Sequence, residues 1–401
     1  MAGPLEGVRV VDFTTMIAGP YGTMILADQG ADVIKVEAPA SSDHARRAGY
    51  GVRKVTAAFL NNNRNKRSIA IDLKKSNGRE IFLRLAETAD VFVQNFRPGV
   101  MKRLGIDEPT LREINPRLIY VSISGWGETG PYAHKPVYDP IIQALSGLAT
   151  VQAGSDEARP RLVRTILPDK VTAITATQAI CAALFHRERC NEGQHIKLSM
   201  LDSVVAFMWS SDMGSQTFVD RETSVQRAAT FIDLIYETKS GHISISVMTN
   251  DQWEGLCRAV GHVEWMDDER FKTPSGRDRF ANERLELTQS AMYEKTADEW
   301  LIILEEAGVP CAPVLTRQEM IKHPQVEATG VIEELSHESV GRIRQARNAA
   351  QFDRTPTEQR LSAPMLGEHT LEIMRELGYG NGDISLFLDG GTIYTSSQPD
   401  A

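Results

Sequence analysis

The chain has 401 residues, of which 42% are apolar and 24% are charged, a balance that is ordinary for a globular protein of two or three domains. Its net charge of −9 argues against general binding of nucleic acid, because a polyanion requires a basic partner. No apolar run approaches the roughly 20 residues of a membrane-spanning helix, and the N-terminus lacks the basic and apolar regions of a secretion signal, so we expect a cytoplasmic protein without membrane association.

The four cysteines are widely scattered and form neither a CxxC pair nor a metal-ligand spacing with the nine histidines. Reduced thiols of this kind are typical of cytosolic proteins, in which disulfides are rare. We therefore expect no disulfide framework and no metal centre.

The first 125 residues alternate between short β-rich runs and helical patterns, which predicts βαβ units and a parallel sheet. The fold class predicted is α/β, with a Rossmann-like large domain. The predicted strands are 8–13, 32–37, 68–72, 90–94 and 118–123, and the predicted helices between them include 18–29 and 76–88.

The loops that follow these strands contain neither a GxGxxG fingerprint nor a GxxxxGK[ST] motif, so nothing in them indicates NAD or ATP. In open parallel sheets, ligands bind beyond the carboxyl ends of the strands. The loops at 14–20, 38–54 and 95–103 are therefore the first candidates for a binding site.

The second half of the chain predicts a helix over 170–186, a strand over 194–199 and a helix over 202–213. Residues 230–315 have the pattern of a smaller α+β unit. This unit contains a strand–turn–strand with Ser240 and Gly241 at the turn, followed by helices over about 250–261 and 281–308.

Asp169 is the most informative residue of the chain. It follows Pro168 at the start of an alanine-rich helical pattern, so its carboxylate is expected at or near a helix N-cap. The helix end should lower the cost of its charge and orient it, which would make a fixed, ionised carboxylate able to act as a nucleophile. A simple capping role is the alternative on local sequence alone.

Residues 53–103 carry 12 Lys/Arg against 4 Asp/Glu, a net charge of +8 on an otherwise acidic protein. A local basic patch of this size suits a small polyanionic ligand better than a polymer. A solvated surface of mixed charge is the alternative.

Several short motifs, in order along nearly the whole chain, resemble those of class III CoA-transferases, the family of formyl-CoA and carnitine CoA-transferases. The motifs are Ile17-Ala-Gly-Pro-Tyr21, Leu26-Ala-Asp-Gln-Gly-Ala-Asp-Val-Ile-Lys-Val-Glu37, Asn65-Lys-Arg-Ser-Ile69, Asn95-Phe-Arg-Pro-Gly99, Ser124-Gly-Trp-Gly127, Gly193-Gln-His-Ile-Lys197 and Pro364-Met-Leu-Gly-Glu-His-Thr370.

The resemblance implies an acyl-CoA:carboxylate CoA-transferase that binds no permanent cofactor and uses coenzyme A thioesters as substrates. It also implies an interlocked homodimer and a large domain made of 1–200 and 325–401, with a small domain at 230–315 and linkers at 201–229 and 316–324. The family's catalytic aspartate falls on Asp169, which would carry CoA through an aspartyl anhydride and an aspartyl-CoA thioester.

The resemblance also assigns binding residues. Coenzyme A contacts fall on Lys66, Asn95, Phe96, Arg97 and Arg103, with Arg46 as a further candidate. Residues expected near the acyl group are Ile17, Tyr138, Asp139, Ser240 and Gly241, of which the last two would donate backbone N–H groups to an oxyanion.

The sequence departs from the formyl-CoA enzymes at two places: Ile17 stands where they have a glutamine, and their glycine run is missing. Both departures argue against oxalate or formate as the substrate, and a small organic or dicarboxylic acid is expected instead.

The racemase branch has a catalytic histidine where this chain has Tyr138, a poor acid or base at neutral pH. A 2-methylacyl-CoA racemase and an inactive CoA-ester binding protein remain alternatives, and an oxidoreductase is a weaker one. The sequence does not identify the donor or the acceptor.

Overall fold

A computed structural model of the chain describes residues 3–47, 49, 51–52, 55–154, 156–220 and 234–396. The strands are β1 (Arg9–Phe13), β2 (Asp32–Glu37), β3 (Gly51–Val52), β4 (Val55–Thr56), β5 (Lys66–Ile71), β6 (Val91–Gln94), β7 (Ile119–Ser124), β8 (His195–Ser199), β9 (Ile235–Glu237), β10 (His242–Ile245), β11 (Cys311–Pro313), β12 (Ile332–His337), β13 (Gly341–Ala346) and β14 (Ile393–Tyr394). The α-helices are α1 (Ala18–Asp28), α2 (Ala57–Asn63), α3 (Ser76–Glu87), α4 (Val100–Leu104), α5 (Glu108–Ile114), α6 (Asp139–Leu145), α7 (Leu148–Val151), α8 (Leu167–Cys190), α9 (Met200–Trp209), α10 (Gly214–Thr217), α11 (Asn250–Ala259), α12 (Pro274–Arg279), α13 (Ala281–Met292), α14 (Ala297–Glu306), α15 (Arg317–Met320), α16 (Pro324–Thr329), α17 (Thr370–Glu376) and α18 (Asn381–Asp389).

A seven-stranded sheet with the order β14-β5-β2-β1-β6-β7-β8 organises the larger part of the molecule. All neighbours from β5 to β8 pair in parallel, and only β14 runs antiparallel at one edge. The predicted α/β class with a large parallel-sheet domain is confirmed. Because the carboxyl ends of parallel strands share one edge, the loops after β1, β2, β6 and β7 lie together there.

Apolar residues alternate between the two faces of the sheet, as expected for strands covered by helices on both sides. On β1, Val10 packs in a core cluster with residues of α1 and α8, whereas Val11 packs in a cluster with residues of α3. Neighbouring strands repeat the pattern, so each face has its own apolar core.

Helix α1 approaches its neighbours closely because of two glycines. A Cβ on Gly19 would lie 2.4 Å from the Cβ of Thr14, and one on Gly22 would lie 3.0 Å from the carbonyl oxygen of Ala173 on α8. The Ile17-Ala-Gly-Pro-Tyr21 motif therefore brings the start of α1 against both the loop after β1 and α8.

The described residues divide into two compact units, one from 1–152, 160–213 and 330–401 and the other from 153–159 and 214–329. This division differs from the predicted linkers. The predicted linker 201–229 overlaps α9, whose Val204 and Met208 are buried in a core cluster of the first unit. The predicted linker 316–324 belongs to the second unit. Residues 221–233, at the junction of the predicted linker and small domain, lie outside the described residues.

The second unit has a three-stranded antiparallel sheet, β11-β10-β9, packed with helices around an apolar core that includes Trp253 and Trp300. Strands β9 and β10 form the predicted strand–turn–strand, and Gly241 at the turn has a φ of +87°. The predicted single helix over 281–308 is wrong, because α13 ends at Met292 and a capping box begins α14.

Candidate active site

A cavity of about 590 Å³ lies in the first unit, at the carboxyl ends of the parallel strands. It is bounded by the loops after β1, β6 and β7 and by the N-terminal turns of α6 and α8. The lining residues are Thr15, Met16, Ile17, Ala18, His44, Asn95, Phe96, Arg97, Pro98, Ile123, Ser124, Gly125, Trp126, Ala133, Lys135, Val137, Tyr138, Asp139, Pro140, Ile166, Asp169 and Met200.

Asp169 is half-buried at the wall of this cavity, in the first turn of α8. The residue at the N-cap of α8 is Ile166, and no side chain caps the helix, so the simple capping role does not apply to Asp169. Its Oδ1 accepts a hydrogen bond of 3.2 Å from the backbone N–H of Ala18, the first residue of α1. This N–H has no acceptor within its own helix, so the positive end of α1 is directed at the carboxylate.

The electrostatic environment of Asp169 differs from the one expected for a helix terminus. Burial and the nearby carboxylate of Asp139 raise the pKa of Asp169 to about 6, although the hydrogen bond from Ala18 acts in the opposite direction. The expectation that the helix end makes this charge easy to carry is therefore corrected. The carboxylate is still mainly ionised at pH 7, but it is a stronger base than an exposed aspartate.

Asp139 is buried at the start of α6, with 5% of its surface exposed. Its Oδ1 accepts a hydrogen bond of 2.6 Å from Gln143, whose side chain also bonds to the backbone N–H and carbonyl of Val163. Its Oδ2 has no partner among the described residues. Burial raises the pKa of Asp139, opposed by Gln143 and by the backbone N–H of Asp169.

Three of the six predicted coenzyme A contacts line the cavity: Asn95, Phe96 and Arg97. The side chain of Asn95 bonds to both the N–H and the carbonyl of Thr15, at 2.9 and 2.8 Å, so it holds the loop after β1. Phe96 packs on Phe13 with a ring-centroid distance of 4.9 Å, and Arg97 is exposed to solvent at the cavity.

The environments of Lys66 and Arg46 argue against their predicted role as coenzyme A contacts. Lys66 is fully buried, and its Nζ donates to Asp12, to Asn63 and to the carbonyl of Pro20. Arg46 is buried in a bidentate pair with Glu37. Their basic groups already have protein acceptors, and neither residue is among those that line the two cavities.

Arg103 is exposed on α4 and does not line either cavity among the described residues. Of the residues expected near the acyl group, Ile17, Tyr138 and Asp139 line the main cavity with Asp169. Ser240 and Gly241 occupy the turn between β9 and β10 in the second unit.

The sequence reasoning missed several cavity residues, among them Ala18, His44 and Lys135. The loop that follows β7 was not included among the candidate loops, although the strand-end rule applies to it equally and would have found Lys135. The ammonium of Lys135 lies 3.3 Å from the ring centroid of Tyr132. Ala18 carries no reactive side chain and contributes only its backbone, so no residue-type signal could have found it.

A smaller cavity of about 160 Å³ adjoins the first and shares Thr15 and Phe96 with it. Its lining includes the apolar residues Val36, Leu73 and Leu104 and the charged residues Glu37, Asp43, Asp72 and Lys74. Neither a group of residues suited to holding a metal ion nor a helix long and apolar enough to cross a membrane is found within the described ranges.

The model of CoA-transferase family III matches residues 5–370 of this chain. The chain belongs to CoA-transferase family III. It is 32% identical over 396 residues to the succinyl-CoA:glutarate CoA-transferase of Mus musculus, covering 97% of this chain and 90% of that protein. It is also 32% identical to a formyl-CoA:oxalate CoA-transferase of Rhodopseudomonas palustris, with 98% and 97% covered.

Solved structures agree with this family membership. A CAIB/BAIF family protein from Brucella suis superposes with a TM-score of 0.80 at 31% identity, over 94% of this chain and all of that one. The predicted family and the predicted enzyme class, an acyl-CoA:carboxylate CoA-transferase of class III, are confirmed.

Proposed function

We propose that this CoA-transferase moves CoA from an acyl-CoA donor to a free carboxylic acid through covalent intermediates on Asp169. The observation that carries the proposal is a half-buried carboxylate at the wall of a cavity. Among the described residues, it receives one hydrogen bond, from the N–H of Ala18. Such a carboxylate keeps an oxygen available for attack, and its raised pKa increases its basicity.

In the first half-reaction, an Asp169 oxygen attacks the thioester carbonyl of the donor. The carbon–sulfur bond breaks, the CoA thiolate leaves with the electron pair, and a mixed anhydride remains. The thiolate then attacks the aspartyl carbonyl of this anhydride. The donor acid leaves as a carboxylate that carries one of the aspartate's oxygens, and Asp169 is left as its CoA thioester.

In the second half-reaction, the acceptor carboxylate attacks the aspartyl thioester and expels the thiolate, which then attacks the acceptor's carbonyl in the new anhydride. The new acyl-CoA leaves, and Asp169 is regenerated with one oxygen from the acceptor. No proton is consumed or released, because one carboxylate is exchanged for another. An enzyme carboxyl group suits this exchange because every leaving group is of similar quality.

Each attack creates an oxyanion that requires preorganised donors. The N–H of Ala18, at the positive end of α1 and in contact with Asp169, is our candidate donor in the first unit. The backbone of Ser240 and Gly241 in the second unit remains the proposed additional source.

Basic side chains around the cavity fit the phosphates of CoA. We assign this role to Arg97, Lys135 and His44, and the apolar wall formed by Ile123, Val137 and Met200 to the pantetheine arm. The apolar residues that line the smaller cavity beside Phe96 suit the adenine ring.

The acid is proposed to be a small organic or dicarboxylic acid, with succinyl-CoA as the donor. Two relatives are named for the acids glutarate and oxalate, which supports a small organic or dicarboxylic acid as the substrate. Ile17 places an apolar side chain at the cavity near Ala18 and Asp169, and this apolar character favours an acid larger than oxalate.

The test is a transfer assay with a panel of acyl-CoAs and acids, combined with hydroxylamine trapping of the protein treated with each acyl-CoA alone. We expect transfer, together with a modified peptide that contains Asp169. Exchange of an α-proton in heavy water without transfer would instead identify a racemase. Binding of acyl-CoA with neither reaction would identify a binding protein.

We also propose a homodimer, with the interlocked form implied by the family. Ile174 and Phe185 on α8 and Phe207 and Trp209 on α9 are each about half exposed, and folded proteins rarely leave so many large apolar side chains uncovered. Light scattering across a dilution series should give a constant dimer mass, and a monomer at all concentrations would contradict the proposal.

The cytoplasmic location stays a prediction.

A further inference from the structure

The loop between β1 and α1, residues 14–17, is held by side chains of β1 itself, of β2 and of the loops after β2 and β6. Thr14 donates its N–H to Asp12, and its carbonyl accepts a hydrogen bond of 2.8 Å from Lys35. Thr15 is held at both backbone groups by Asn95. The loop leads directly to Ala18, whose N–H reaches Asp169.

Met16 has a φ of +68°, in the left-handed region that non-glycine residues occupy only when their surroundings hold them there. Its N–H donates to Oδ1 of Asp43 at 2.9 Å. Asp43 is 1% exposed, and its Oδ2 lies 2.9 Å from the Nζ of Lys35. The same Oδ1 accepts the N–H of Ala45, so Asp43 fixes two loops at once.

We propose that Asp43, with Lys35, is a positioning residue that holds Met16 in its left-handed conformation and thereby aims the N–H of Ala18 at the Asp169 carboxylate. The catalytic consequence rests on the proposed function of Asp169. Lys35 holds both the loop and the residue that positions it, because its ammonium binds the Thr14 carbonyl and the Asp43 carboxylate. A shift of about 1 Å at a reacting group can reduce a rate about 10²-fold.

The chain offers a matched control in the ion pair of Asp28 and Arg64. This pair is also buried, with an N–O distance of 2.6 Å, and Asp28 additionally binds Asn65. It holds the end of α1 rather than its start and does not line the main cavity. Asp28→Asn and Asp28→Ala therefore remove a comparable buried charge without touching the positioning loop.

The first measurement is hydrogen exchange of the peptide that contains residues 14–18. Asp43→Ala should accelerate exchange in this peptide, Asp43→Asn should do so less because its amide oxygen still accepts the Met16 N–H, and neither Asp28 variant should do so. This measurement does not depend on activity. Unchanged exchange in both Asp43 variants would overturn the proposal, even if the wild type transferred no CoA.

The second measurement is the transfer reaction. We expect kcat to fall about 10²-fold in Asp43→Ala and about tenfold in Asp43→Asn. Asp43 also lines the smaller cavity that we assign to the adenine ring, so the fall in kcat carries the test and a change in KM alone does not. An unchanged kcat, or an equal loss in the Asp28 variants, would contradict positioning. If Asp43→Ala does not fold, Asp43→Asn decides both measurements. A wild type that transfers no CoA refutes the proposed function alone.

The third measurement is the pH profile. Because the Ala18 N–H lowers the pKa of Asp169, its misplacement should move the acid limb of kcat/KM above pH 6. The other charged groups around the cavity are Asp139 on α6, Arg97, Lys135 and His44, and His44 directly follows Asp43 in the chain. Asp43 itself faces Lys35 through its side chain and Glu37 through its N–H. A limb that stays at the wild-type pH in both Asp43 variants would overturn this step.

Discussion

Two groups of carboxylates lie near the same sheet edge, and their environments shift the carboxylate pKa in opposite directions. Asp12 on β1 is fully buried, and burial alone would raise its pKa, but Lys66 and Lys35 outweigh this and lower the pKa to about 2. Asp169 is less buried, yet burial and Asp139 raise its pKa to about 6. The presence of a cationic partner, more than the degree of burial, therefore separates the two groups.

The difference indicates that the two groups of carboxylates have different roles, one structural and one catalytic. The paired charges after β1 and β2 hold the backbone of the loops that form the cavity. Among the described residues, the carboxylates at the starts of α6 and α8 form no ion pair, and the charge of Lys170 offsets the burial of Asp139 only in part. This leaves Asp169 reactive. Strongly perturbed groups in a cavity are candidates for function, whereas perturbed groups in complete ion pairs are candidates for structure.

The largest expected effect is a loss of transfer activity when Asp169, a carboxylate without an ion pair among the described residues, is replaced. Asp169→Asn keeps the size of the side chain and an acceptor for the Ala18 N–H but removes the nucleophile, so we expect kcat/KM to fall more than about 10³-fold. Steady-state transfer assays with circular dichroism as a folding control measure this. Retention of a tenth of the activity would place the chemistry elsewhere.

The second expected effect is a loss of stability when the buried ion pair of Asp12 and Lys66 is broken. Lys66→Met removes the ammonium that contacts Asp12 at 2.9 Å and leaves only Lys35 nearby to offset this buried charge, so the free energy of unfolding should fall by up to about 3–5 kcal/mol. Lys102→Met, an exposed lysine of the same basic region, should change it by less than about 0.5 kcal/mol. Denaturant unfolding measures both. A raised KM for acyl-CoA with unchanged stability would instead restore Lys66 as a ligand contact.

The third expected effect is a gain in stability on replacing Asp169, opposite in sign to the loss expected for Lys66→Met. Its folded pKa of about 6 lies above the ordinary value of 3.8, so folding disfavours the ionised form, with the full cost above pH 6 and none below about pH 4. Asp169→Asn should therefore raise the free energy of unfolding at pH 7.5 by about 1–2 kcal/mol, and the gain should vanish at pH 4. Loss of stability at pH 7.5 would show that the carboxylate is structurally required.

The smallest expected effect is a shift in the pH profile. Wild-type kcat/KM should fall about tenfold per pH unit below pH 6, as Asp169 becomes protonated. Asp139→Asn removes the neighbouring negative charge, so the acid limb should move to lower pH. Asp202→Asn, in the first turn of α9, is the control and should leave the limb in place. A limb unaffected by Asp139→Asn would mean that burial alone raises the pKa of Asp169.

The alternation of strand and helix patterns was enough to predict the parallel sheet, and the position of Asp169 at a helix start followed from Pro168. The charge of Lys66 and Arg46 was visible in the sequence, but their partners were not. Asp12 is 54 residues from Lys66, and only the folded sheet brings the two together. For this reason the sequence could not show that both basic groups are already engaged by protein acceptors, which argues against their expected coenzyme A role.

Local signals were also overlooked. Thr296 and Glu299 form a capping box that separates α13 from α14, and the sequence spacing alone could have located it. The hairpin of β12 and β13 was not predicted, because many of its residues are charged and exposed. The proximity of Asp139 to Asp169, in contrast, depends on the packing of α6 against α8 and has no local signature.

The most direct test of the central claim follows one oxygen atom. A single turnover with an acceptor acid labelled with oxygen-18 in both carboxylate oxygens should leave one labelled oxygen on the side chain of Asp169, detectable by mass spectrometry of its peptide. Product acyl-CoA formed while Asp169 stays unlabelled would contradict covalent transfer through this carboxylate.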